Sequence, residues 1–144
     1  MDKDLLKEIQ SVVVDNGRGC FVSDEKAAQL IRDLAAKFSF DISKLFIWAN
    51  KNLHGIYEYG DDREKWKDTL LNLLDRFDED IFIAVSNEVF YPWQILSCRK
   101  QGAVELLEQL PPFEYFIFDS SLQYVVFDTH DNFFVDFIQS WIRI

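Results

Sequence analysis

A chain of 144 residues has the length of one domain (1–144). With 49% hydrophobic residues it can bury a core without disulfide or metal staples. The formal net charge of -10 argues against nucleic acid and anionic membrane as direct ligands, since both need a basic surface, and it favours a basic partner, or solubility with no partner at all. The two cysteines, Cys20 and Cys98, show no metal or redox spacing. The first residues, MDKDLLKEIQ, lack the apolar stretch of a signal peptide, and no apolar run approaches the ~18 residues of a membrane span. A cytoplasmic protein with reduced thiols and no cofactor or metal is the expectation.

In chain order, Leu5, Leu6, Ile9, Val12 and Val13 fall at helical spacing and predict a helix over Asp2–Val14, ended by Asn16-Gly17. Arg18–Val22 reads as a connector with a short extended piece. Ser23 is an N-cap for a second helix, with Asp24 and Glu25 in its first turn and a buried stripe of Ala27, Leu30, Ile31, Leu34 and Phe38. Phe40–Asn52 is predicted helical, with Ser43 as cap, although Leu45-Phe46-Ile47-Trp48 suits a buried strand equally by periodicity. His54-Gly55 breaks that helix, and Ile56–Tyr59 leads as loop or short strand to Gly60.

Asp61 with Glu64 three residues on resembles a capping box and opens a helix to Phe77, with Trp66, Leu70, Leu73, Leu74 and Phe77 facing in. Asp80–Ser86 is a strand. Val89–Leu96 is extended, but Pro92 cannot donate to a ladder, so this run reads as an edge strand, a bulge or a loop. Arg99–Leu110 is a helix stopped by Pro111-Pro112. Glu114–Ser120, Gln123–Thr129 and Asn132–Val135 form a three-stranded meander with turns at Ser120–Gln123 and Thr129–Asn132. Phe134, Phe137, Ile138, Trp141 and Ile142 then recur at helical spacing. Asp136–Arg143 is therefore expected as a closing helix, with a continued strand as the alternative. Helices first and strands gathered late predict an α+β fold, with N-terminal helices packed on an antiparallel sheet formed mainly by the C-terminal half.

Signals for chemistry are few. No nucleophile elbow, phosphate loop, dinucleotide fingerprint or HExxH pattern is present. The densest polar cluster is Asp128-Thr129-His130-Asp131-Asn132. It could form an acid/base or metal site around His130, but the Asp and Asn residues expected in a hairpin turn already account for it. His54 reads as a loop histidine. Cys98 precedes a helix start, where a dipole would favour thiolate, yet no base is assigned to it, and a buried thiol is the simpler reading for both cysteines. Phe90, Tyr91 and Trp93 around Pro92 would make a binding patch if exposed and part of the core if buried.

Charge is unevenly spread. Residues 1–77 hold 14 acids and 12 bases, whereas 78–144 hold 11 acids and 3 bases. Such asymmetry fits either a functional acidic face or a merely solvated acidic surface; the face, on the first reading, is expected over Asp119, Asp128, Asp131 and Asp136, with Glu114 and the Asp78, Glu79, Asp80 cluster beside it.

The runs Glu114–Asp119, Leu122–Phe127 and His130–Asn132 make residues 113–143 resemble small bacterial toxin-immunity proteins of the SMI1/KNR4-like (SUKH) group and related domains. That resemblance implies a cytosolic α+β protein that binds and blocks a cognate toxin, often a basic nuclease. The leading expectation is a non-enzymatic acidic binding module. Two alternatives stand beside it: a small enzyme or metal-binding protein using His130, Cys98 or His54, and a homo-oligomer that associates through the late strands or the Phe90–Trp93 patch.

Overall fold

The computed structural model describes residues 7–13, 17, 19–40, 54–85, 93–110, 113–129 and 131–139. Its elements are α1 (7–13), β1 (Gly19–Phe21), α2 (Asp24–Phe38), β2 (Gly55–Glu58), α3 (Arg63–Leu74), β3 (Asp80–Val85), β4 (Ile95–Arg99), α4 (Lys100–Gln109), β5 (Tyr115–Phe118), β6 (Tyr124–Asp128) and β7 (Phe133–Ile138). The strands form one seven-stranded sheet in the order β1-β4-β3-β5-β6-β7-β2, and every neighbouring pair is antiparallel. The fold is α+β, with most strands in the C-terminal half.

Both faces of the sheet are covered. On one face α1, α3 and α4 bury Ile9, Val13, Leu70, Leu73 and Leu106 against Ile81, Ile83, Ile117, Val126 and Phe134. On the other, α2 and Phe40 pack Ala27, Ile31 and Leu34 against Ala84, Phe116, Phe118, Val125, Phe127, Val135 and Phe137. Side chains alternate between faces along a strand, so a strand covered on both sides needs apolar residues throughout. That is why β5 and β6 are buried at every position.

Ser23 accepts from the Lys26 N–H and starts α2, as expected. For α3 the cap is Asp62 rather than Asp61: its carboxylate accepts from the Lys65 N–H at 3.1 Å, so the helix opens at Arg63. Residues 55–58, undecided between loop and strand, are the edge strand β2. The Gly19–Phe21 piece of the expected connector is the opposite edge strand, β1.

Three expectations are corrected. The Val89–Leu96 run is expected as an edge strand, a bulge or a loop, yet from Ile95 the chain is an interior strand between β1 and β3, and it continues through Cys98 to Arg99 before α4 begins. Residues 86–92, Pro92 among them, lie outside the described residues. The segment 136–138 is strand, not helix: Asp136 pairs with Gly55 and Val126, and the aromatics beside it alternate between two buried faces. Period 2 on a doubly buried strand mimics the apolar density of a helix, and the remainder of the expected helix, 140–144, lies outside the described residues. The third correction concerns the turn expected at Ser120–Gln123. It sits one residue earlier, with the Leu122 N–H donating to the Asp119 carbonyl. The expected helix over Phe40–Asn52 falls outside the described residues except for Phe40, which is buried and non-helical.

Candidate functional site

Four of the eight carboxylates expected on an acidic face are inside the protein. Asp136 is 0% exposed, Asp119 2%, Asp128 5% and Glu114 9%. Asp128 and Asp136 sit on strands covered on both faces, and Glu114 and Asp119 flank β5, so these positions do not form a solvent-facing surface. Asp78, Glu79, Asp80 and Asp131 are exposed. Of the aromatic patch, Phe90 and Tyr91 lie outside the described residues. Trp93 is core, edge-on to Phe116 at 5.8 Å.

Asp136 lies in β7 on the α3 side of the sheet. One carboxylate oxygen accepts from Tyr57 at 3.0 Å and Tyr124 at 2.5 Å; the other lies 3.2 Å from His54 Nδ1. The His54 backbone N–H also donates to the Asp136 carbonyl at 2.7 Å. The Arg76 guanidinium stands over the Tyr124 ring, 5.3 Å from its centre. Burial, and then the bond to Asp136, hold the Tyr57 and Tyr124 hydroxyls above the usual phenol range.

Asp128, in β6, is on the same face. Its oxygens accept from the Tyr59 hydroxyl at 2.5 Å and from Trp66 Nε1 at 3.0 Å. Tyr115, directly across the ladder, has its hydroxyl buried near this carboxylate but makes no hydrogen bond of good geometry. Arg63 stacks over Trp66 at 4.9 Å. Burial pushes the Asp128 carboxyl up, and the hydrogen bonds from Tyr59 and Trp66 only partly offset it. Asp136 faces Val126 across the β6–β7 ladder, two residues along β6 from Asp128, so the two acids are diagonal neighbours about 7–8 Å apart.

Asp119 has a different task. It accepts from the Ser121 N–H and hydroxyl, closing the β5–β6 turn, and from the Asp78 N–H at 2.8 Å, tying that turn to the start of β3. Glu79 is solvent-exposed. Hydrogen bonds from Gln101 and then Arg99 hold its carboxyl below the usual range.

Asp78, Glu79 and Asp80 lie at the start of β3, whereas Asp131 lies at the opposite end of the sheet, where β2 leads into α3. The Tyr59 and Gly60 N–H groups both donate to the Asn132 carbonyl, at 3.1 and 3.2 Å. Asn132 holds the left-handed conformation that the β6–β7 turn needs and that asparagine tolerates. This joint brings the segment that carries exposed Glu58, Asp61 and Asp62 to the turn that carries exposed Asp131, and exposed Glu64 follows in the first turn of α3. Of the two bases in the stretch, Arg63 is directed onto Trp66 and the Glu108 carbonyl, which leaves Lys65. Glu58, Asp61, Asp62 and Glu64 were missing from the expected face because their half of the chain is nearly balanced in charge.

The chemistry open to the other candidates is narrow. Cys98 is buried, and burial followed by the nearby Asp80 pushes its thiol up to about 12, so it is protonated at neutral pH. Cys20 is exposed. Gly19 pairs with Cys98 and Cys20 with Ser97, so the two sulfurs lie on opposite faces of the sheet and cannot join. His54 has Nδ1 engaged by Asp136 and Nε2 left over. His130 lies outside the described residues. Of Asp128 and Asp131, either of which would orient His130 in an acid/base or metal site, Asp128 is taken up by Tyr59 and Trp66. Among the described residues no group of three or more His, Cys, Asp or Glu is placed to hold a metal ion, and no helix is long and apolar enough to cross a membrane. Comparisons with family models, curated proteins and solved structures find no match to this chain.

Proposed function

We propose that this protein is a non-enzymatic binding domain whose partner is a basic protein, docked on the rim formed by Glu58, Asp61, Asp62, Glu64 and Asp131. The observation that carries this reading is the Asn132 joint. Two backbone hydrogen bonds join the β2–α3 connection to the β6–β7 turn, so acids remote in sequence share one surface. A cluster of one sign speeds encounter with a basic surface. The likeness of residues 113–143 to SMI1/KNR4-like immunity proteins supports a toxin as that partner, and the acidity supports a basic one such as a nuclease. On this reading the protein acts in the bacterial cytosol as an inhibitor.

The self-association alternative draws less support from the late strands. β5, β6 and β7 are each paired on both sides, so none offers a free edge.

The test is affinity capture from lysate of the source cell at low salt, run in parallel with wild type and a Glu58→Lys, Asp61→Lys, Asp131→Lys variant. A basic protein held by wild type, released by a salt step and missed by the variant is the expected result. Capture that survives high salt, or that the variant performs equally well, would overturn the proposal.

A further inference from the structure

β2 is held to the sheet in an unusual way. None of Gly55, Ile56, Tyr57 or Glu58 is fully buried, and Ile56 is 56% exposed, whereas every residue of β5 and β6 is buried. Among the described residues the strand has one neighbour, β7. Besides that ladder, the partly buried Tyr57 and Tyr59 rings pack against the core, and the remaining attachments are polar. Tyr57 and His54 reach Asp136, Tyr59 reaches Asp128, and the Tyr59 and Gly60 N–H groups reach the Asn132 carbonyl. The Tyr59 ring against Phe134, at 5.1 Å, adds an apolar contact.

Polar tethers and apolar packing resist opening differently. Lifting a buried apolar face exposes hydrocarbon to water at roughly 25 cal/mol per Å². Lifting a strand tied by hydroxyls to carboxylates lets water take the place of the lost donors, so each bond costs only its difference from a bond to water. Trp66 stays behind on Asp128 and Tyr124 on Asp136, because both donors belong to elements packed in the core. Neither carboxylate is stranded when β2 leaves.

We infer that β2 with the Tyr59–Gly60 turn is a latched edge strand, which opens as a unit while the rest of the sheet stays folded and thereby uncovers the outer edge of β7. Locally opening segments of this kind are recognised by an opening free energy below that of global unfolding.

Native-state hydrogen exchange followed by mass spectrometry tests it on the full chain. Protected amides in peptides covering 54–60 should exchange through an opening that low denaturant barely affects; those covering 124–128 should follow global unfolding. Two variants separate the latch from general instability. Ile31→Val weakens the α2 side of the core, which stays packed in the opened state. It should speed exchange at 124–128 by roughly two- to tenfold and leave 54–60 unchanged. Tyr57→Phe removes a tether and should speed exchange at 54–60. Exchange at 54–60 that follows global unfolding and responds to Ile31→Val as 124–128 does would overturn the inference. So would exchange there that ignores Tyr57→Phe.

Discussion

Gly55 and Asp136 face each other across the β2–β7 ladder, and the side chain that Gly55 lacks is the space through which the Tyr57 phenol reaches Asp136. A Cβ at position 55 would stand 2.5 Å from the Tyr57 hydroxyl oxygen and 2.8 Å from the ring carbon that bears it. The glycine therefore serves close packing at this position.

Gly55→Ala should push the Tyr57 ring off Asp136, and Tyr57→Phe should remove the same bond directly. Each is expected to cost about 1–2 kcal/mol in urea denaturation, the value of a half-buried hydrogen bond to a charged group. The double variant should cost less than the sum by roughly 1 kcal/mol, since the bond is lost only once. Strict additivity would show that Gly55 does not make room for Tyr57.

The buried acids and the exposed ones should separate cleanly on substitution. Asp136→Ala leaves the Tyr57, Tyr124 and His54 donors without their acceptor and should cost roughly 3 kcal/mol or more. Asp131→Ala, at an exposed turn position, should stay within about 0.5 kcal/mol. Thermal or urea unfolding of the two variants checks this. Similar stabilities would argue against the inward placement of Asp136.

Asp128 should leave a signature in the pH dependence of stability. Its carboxyl is raised in the folded protein, by burial first of all. A raised folded value means that the folded state binds the proton more tightly than the unfolded chain, so folding gains as pH falls. This contribution is fully present below the unfolded carboxylate value of about 3.9 and is lost as pH rises through the folded one. Wild type should therefore gain stability relative to Asp128→Asn as pH is lowered from neutral through that window, measured by urea denaturation at a series of pH values. A difference independent of pH would refute the assignment.

The two thiols should behave oppositely. Cys20 is exposed, and Cys98 is buried and protonated. A thiol reagent at neutral pH should modify one cysteine per native chain, mapped to Cys20 by peptide analysis, and both in denaturant. Rapid native modification of Cys98 would contradict its burial.

Much of the architecture is legible in the residues. Ser23 before an amphipathic run announces α2, and dense β-branched and aromatic stretches announce β3, β5 and β6. The misread segments have different causes. At Asp136–Phe137 the strand is buried on both faces, which erases the alternation that tells strand from helix, whereas Pro92 demotes the Val89–Leu96 run from the sheet interior although the strand starts only at Ile95. The polar clusters were hidden for a different reason. His54, Tyr57 and Tyr59 are about eighty and seventy residues from the acids they bind, and no local pattern encodes a pairing at that separation.

The sequence by itself determined the class of object: an α+β chain with a large aromatic core, an acidic balance and two cysteines without metal or redox spacing. These properties follow from composition and from near-neighbour spacing, which act before any long-range contact forms. Only the tertiary structure decided which carboxylates meet water. Asp128 and Asp131 are three residues apart, yet one lies inside on a doubly covered strand and the other outside on a turn. Side-chain chemistry is identical at both positions, and the difference arises from whether Trp66 and Tyr59, delivered by distant elements, can replace water around the charge.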